Sequence, residues 1–152
     1  MSPPKPSPPR SAEQPCPVAR ALDVIGDRWS LLIVRDAFDG VRRFSDLQRS
    51  LGMARNILAD RLHKLVEAGI LKTQAASDGS AYQEYVLTPR GERLFPVVVA
   101  LRQWGERHLF ARGERHSILV DRRTGETLAP MTPTARNGEA VAAMDTEVRK
   151  VR

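Results

Sequence analysis

Cysteine is almost absent from this 152-residue chain: Cys16 is the only one. A single thiol excludes an intramolecular disulfide framework and a cysteine-built zinc site, and it suits a reducing compartment. Long apolar runs are also missing. The longest, Leu31–Val34 and Phe95–Leu101, fall far short of the ~20 residues that cross a bilayer, and the N-terminus lacks the apolar stretch of a signal peptide. A cytoplasmic protein with no membrane partner is therefore expected. No glycine-rich phosphate loop occurs, His63, His108 and His116 fit no ligand spacing, and no Ser/His/Asp constellation stands out. The expectation is no catalytic residue, no metal and no cofactor.

What the chain does have is positive charge, with a net +6, which suggests a polyanionic partner. Its placement is more informative than its size. Between Arg42 and Lys64 stand six basic residues and two acids, Asp46 and Asp60. Seven of the eleven prolines fall in the first seventeen residues. Residues 1–15 read as a disordered Pro-rich tail, because such a segment buries too little to offset its ordering entropy.

Order is expected from Cys16 onward. Val18, Leu22 and Ile25 repeat at helical spacing until Gly26 breaks the run. A second helix, from Asp27 or Arg28 to Phe38, should turn Trp29, Leu32, Ile33 and Phe38 inward. Ser45-Asp46-Leu47-Gln48 reads as a capping box opening a short helix that ends at Leu51. After the Gly52-Met53 turn, a further helix runs from near Ala54 to Ala68, its stripe made by Leu58, Leu62 and Leu65 and its end marked by Gly69. Ile70–Ala75 and Tyr82–Thr88 read as strands joined by a turn at Asp78-Gly79. Thr88-Pro89 then looks like a helix start, with the helix continuing to Phe110 and bent at Pro96. Beyond Gly113, short strands are expected at 117–120, 127–128 and 148–151.

A short helix, a tight turn and a second helix with a polar outer face make a helix-turn-helix, whose second helix can enter the DNA major groove. With the leucines inward, Asn56, Asp60, His63 and Lys64 face out. Asn56 is the best base reader, since its amide matches adenine N6 and N7. Arg55 and Arg61 flank that face and suit phosphate, as does Arg43. Ser45, at a helix N-terminus, can present its hydroxyl to a phosphate as well. Asp60 repels phosphate but can accept from cytosine N4. The hairpin is the wing, with Asp78 at its tip and no basic residue there. A winged helix that binds protein instead of DNA is the competing reading. A steep salt dependence of DNA affinity separates the two.

The residues resemble the HxlR-type branch of the MarR-like winged-helix regulators. The likeness runs through Cys16-Pro17-Val18, the segment Leu22 to Ile33 with its Gly26-Asp27-Arg28-Trp29 centre, and Arg43-Phe44-Ser45-Asp46-Leu47-Gln48. It continues in Leu58-Ala59-Asp60-Arg61-Leu62, Gly69-Ile70-Leu71, Glu84-Tyr85-Val86-Leu87-Thr88-Pro89-Arg90-Gly91 and Trp104-Gly105. The resemblance implies a mainly α (α+β) fold: a winged helix-turn-helix domain over 16–112 with a long C-terminal dimerisation helix, then a small β-rich extension over 113–152. It implies a homodimeric transcriptional regulator, more in the manner of a repressor, on a pseudo-palindromic promoter site. Its partners would be double-stranded DNA, a second copy and an unidentified small-molecule effector. First and last helices would form the dimer interface, here Val18, Leu22, Leu94, Val98, Leu101 and Trp104. Cys16 matches a cysteine that some members use to sense oxidants; the alternative is a small residue packed at a helix start. Ala54 and Ala59 stand where relatives often carry serine and threonine, which removes a helix cap worth ~1 kcal/mol. Zinc-binding forms of the extension use cysteine pairs, absent here. That leaves a metal-free structural element or an effector site.

Overall fold

The computed structural model describes residues 15–151. Apart from Pro15, the tail expected to be disordered lies outside them. The chain forms α1 (Pro17–Ile25), α2 (Arg28–Phe38), α3 (Phe44–Leu51), α4 (Arg55–Glu67), β1 (Leu71–Ala75), β2 (Gln83–Leu87), α5 (Pro89–Glu92) and α6 (Phe95–His108). It divides into two compact units, one ending at Phe95 and the other starting at Pro96.

In the first unit, Ile33, Val34, Leu47, Leu58, Leu62, Leu65 and Leu71 form the fully buried core. α2 is rolled relative to expectation. It buries Ser30, Ile33, Val34 and Asp36, while Trp29, Leu32 and Phe38 are half-buried. Ser30, Ile33 and Val34 lie at the i, i+3, i+4 spacing of one helix face. Asp36 goes in with a partner, since the Arg35 guanidinium pairs with it at 2.9 Å.

The capping box at Ser45 does not form. α3 starts one residue earlier, at Phe44, with Arg43 in the cap position and no side-chain cap. Ser45 is thus the second helical residue. Gln48, expected to reach back, instead donates from its amide to the Met53 carbonyl at 3.3 Å. That bond braces the turn, where Gly52 takes the left-handed conformation at φ 64°, one that glycine adopts without steric cost. α4 follows, with Ala54 at its cap offering no side-chain bond.

β1 and β2 pair antiparallel, Leu71 opposite Leu87 and Ala75 opposite Gln83. The helix expected from Thr88 to Phe110 is broken. α5 is a single turn opened by Thr88, whose hydroxyl accepts from the Gly91 N–H at 3.0 Å. α6 begins afresh at Phe95. Proline lacks the N–H that would bond the Glu92 carbonyl, and its ring crowds that carbonyl. The chain therefore breaks before Pro96 rather than bending at it.

The second unit holds α6 and the residues after it. Among its described residues, β structure is confined to two isolated bridges, Val120 with Thr127 and Thr134 with Ala140, and a 3-10 turn stands at Ala143–Asp145. The expected strand at 148–151 is absent: Val148 and Val151 are exposed and take part in no ladder among the described residues.

Candidate nucleic-acid interface

α3, the Gly52 turn and α4 place one helix face outward beside the hairpin. Leu58, Leu62 and Leu65 are each at most 1% exposed, which fixes the roll of α4. Arg55, Asn56, Ala59, Asp60, His63 and Lys64 are all exposed. The amide of Asn56 forms no hydrogen bond among the described residues, so its donor and acceptor pair faces solvent. Arg55 lies over the Phe44 ring at 5.2 Å, a contact that orients its guanidinium without consuming its N–H groups. Asp60 pairs with Lys64 at 3.2 Å, and His63 with Glu67 at 3.0 Å. Ser45 is exposed in the first turn of α3.

Two arginines expected at phosphate are half-buried and ion-paired within the chain. Arg61 is drawn toward the start of α2, its Nε 3.3 Å from the Asp27 carboxylate, and only 27% of its side chain is exposed. Asp27 is the N-cap of α2 and accepts from the N–H groups of Trp29 and Ser30 and from the Ser30 hydroxyl. Burial works to raise the Asp27 pKa, but the Ser30 bonds and the Arg61 charge outweigh it and the carboxyl ends below its usual range. The unit Asp27–Arg61 thus ties the candidate recognition helix to α2. The signal was available in the sequence: an aspartate directly before a helix is a preferred cap. Arg61→Ala should therefore cost up to ~1 kcal/mol of fold stability by removing the charge opposite Asp27, whose bonds from Trp29 and Ser30 remain. Arg55→Ala should leave the melting temperature unchanged. Thermal melts of the two variants distinguish these roles.

Arg43 is the second case. Its guanidinium pairs with Asp78 at the wing tip, touches the Ser80 hydroxyl at 3.4 Å and lies over the Tyr82 ring at 5.4 Å. The neighbouring Arg42 meets Glu84 at 3.5 Å. Glu84 also accepts from the backbone and hydroxyl of Ser77, at 3.2 and 3.1 Å. Two adjacent arginines thus clasp the hairpin through two acids. Hydrogen bonds from Ser80, then Arg43, lower the Asp78 pKa to about 2. A depressed carboxylate stabilises the fold above its unfolded pKa and loses that contribution as pH falls through the folded one. Amide protection factors in the wing, with the intrinsic pH dependence of exchange divided out, should therefore be steady from pH 8 to pH 5 and fall only on acidification towards pH 2.

Cys16 is exposed, at the cap position of α1, so it is not a packed core residue. α1 exposes Val18 and Leu22, and α6 exposes Val97, Leu101 and Trp104. Leu94 and Val98 are half-buried instead. No helix among the described residues is long and apolar enough to cross a membrane.

A helix-turn-helix with a polar second helix and a two-stranded wing defines a winged-helix transcriptional regulator. The HxlR-like helix-turn-helix family model matches residues 24–112, and the chain belongs to that family. It is 42% identical over 127 residues to the uncharacterized HTH-type transcriptional regulator Rv3095 of Mycobacterium tuberculosis, covering 83% of this chain and 80% of the relative. Among solved structures, PA1607, a candidate transcription factor, is 52% identical with a TM-score of 0.86, covering 91% of this chain and 97% of that one. The redox regulator HypR in its reduced form is 30% identical with a TM-score of 0.57, covering 62% of this chain and 94% of that one. The PA1607 match leaves too little of the chain uncovered to omit the extension, so that segment has a counterpart there. HypR matches a length close to the winged domain alone.

Proposed function

We propose that this regulator acts as a homodimeric, non-catalytic repressor in the cytoplasm, each subunit setting the N-terminal half of α4 into the major groove of a pseudo-palindromic promoter site. The observation that carries this is the free amide of Asn56 beside Arg55, on the side of α4 opposite its buried leucines. The exposed apolar residues on α1 and α6 support a two-fold dimer. Such a dimer spaces its half-sites by about one DNA turn, ~34 Å. Arg55 supplies phosphate contact, while Arg43 and Arg61 act by fixing the wing and the recognition helix.

Anisotropy titrations of fragments upstream of the gene, repeated at several salt concentrations, test this. Affinity should fall linearly on a log–log plot with a slope of about −0.9 per phosphate neutralised. Arg55→Ala should make that slope shallower by about two units, one contact per subunit. No retention at low ionic strength overturns the reading.

A further inference from the structure

The second unit contains a cavity of about 400 Å³ between α6 and the extension, within the size range of small-molecule sites. Val99, Leu119, Leu128 and Pro130 give it an apolar wall. Two α6 side chains hold it open. Arg102 donates to the Ser117 carbonyl and hydroxyl, both at 3.0 Å. Gln103 donates to the Ala129 carbonyl at 3.0 Å and accepts from the Met131 N–H at 2.7 Å. These bonds tie α6 to the backbone of the extension at Ser117, Ala129 and Met131.

The remaining polar groups in the lining are less committed. Glu106 lies 3.9 Å from Arg102, which offsets its charge. Arg107 lines the cavity and makes no ion pair or hydrogen bond among the described residues. His116 meets the Phe110 ring at a tilt, with centroids 4.8 Å apart, and its Nδ1 sits 2.8 Å from the Ser117 carbonyl. A carbonyl only accepts, so Nδ1 carries a hydrogen, and in the neutral ring Nε2 is the acceptor. An apolar wall, a free guanidinium and a free acceptor in one cavity specify a ligand with three matching parts.

We propose that this cavity binds a compact hydroxylated organic carboxylate: an apolar body against Val99, Leu119 and Leu128, a carboxylate on Arg107, and a hydroxyl donating to Nε2 of His116. A guanidinium matches a carboxylate with two parallel hydrogen bonds. The cavity residues Val99, Gln103 and Glu106 lie on the side of α6 opposite Val97, Leu101 and Trp104, given 100° per residue, and Arg107 falls about a quarter turn to the side of that stripe. A ligand there does not compete with the exposed apolar stripe. Uptake is read on free protein, so its failure leaves the promoter-binding reading standing.

Calorimetric titration of the full chain with mandelate and 4-hydroxybenzoate tests the proposal, with phenylacetate, benzoate and neutral benzamide as comparisons. The hydroxy acids should bind more tightly than the plain acids, and benzamide should give no signal. Arg107→Ala should weaken hydroxy-acid binding about tenfold or more, as expected on losing a charge-assisted hydrogen bond. Arg107 is exposed and unpaired, so the variant should melt with the wild type. His116→Ala should abolish the preference for the hydroxyl. The proposal is overturned if neither hydroxy acid binds at concentrations up to about 10 mM, if plain acids bind equally well, or if Arg107→Ala leaves affinity unchanged.

Discussion

Asn56→Ala should weaken operator binding by roughly 30- to 10⁴-fold while leaving affinity for unrelated DNA nearly constant. One bidentate amide–adenine pair carries ~1–3 kcal/mol of discrimination, and a two-fold dimer loses it at both half-sites. The loss sits in the specific complex because asparagine carries no charge and neutralises no phosphate. Fold stability should be spared. Asn56 is exposed in the first turn of α4, its amide bonds to nothing inside the described chain, and alanine is the better helix former. Anisotropy with operator and scrambled duplexes, beside a thermal melt, separates these terms. Equal losses on both duplexes would show Asn56 to be a backbone contact, and no loss on either would place the reading helix elsewhere.

Which parts were legible in the sequence follows from the range of the interactions involved. Periodicity located α1 to α4 and the wing because burial of Leu58, Leu62 and Leu65 is written at fixed local spacing. Failures began where a residue had two possible partners. Ser45 and Gln48 have capping-box spacing, yet the amide of Gln48 serves the Met53 carbonyl, a choice set by the shape of the turn. Charge marks Arg43 and Arg61 as phosphate ligands, and the fold adds a carboxylate partner for each. Their carboxylate partners are remote in sequence: Asp78 lies 35 residues from Arg43, and Asp27 precedes Arg61 by two whole helices, α2 and α3. Only the folded chain brings them together. The extension was hardest, since short apolar runs such as Ser117–Val120 fit a strand, a bridge or a loop.

A second large effect should come from Gly91→Ala, which we expect to lower the melting temperature by roughly 10–20 °C, from ~3 kcal/mol of destabilisation in a domain of this size. Gly91 is buried with an ordinary negative φ, so backbone freedom is not at stake; at such a position alanine would normally stabilise by ~0.4–1 kcal/mol. Space decides the sign. A Cβ there would lie 2.2 Å from the Ile70 carbonyl oxygen and 3.0 Å from a Leu87 methyl. The methyl can swing aside, but the carbonyl is pinned. It accepts from the Thr88 N–H at 3.0 Å and the Thr88 hydroxyl at 3.2 Å, and Ile70 and Leu71 are 4% and 2% exposed. Displacing it disturbs the start of β1 and the Thr88 cap of α5 together. Gly105→Ala is the matched control, since nothing lies within 4 Å of a Cβ there and helix propensity favours alanine by ~1 kcal/mol. If Gly91→Ala melts with the wild type, the close approach of α5 to the Ile70 carbonyl before β1 is not maintained in solution.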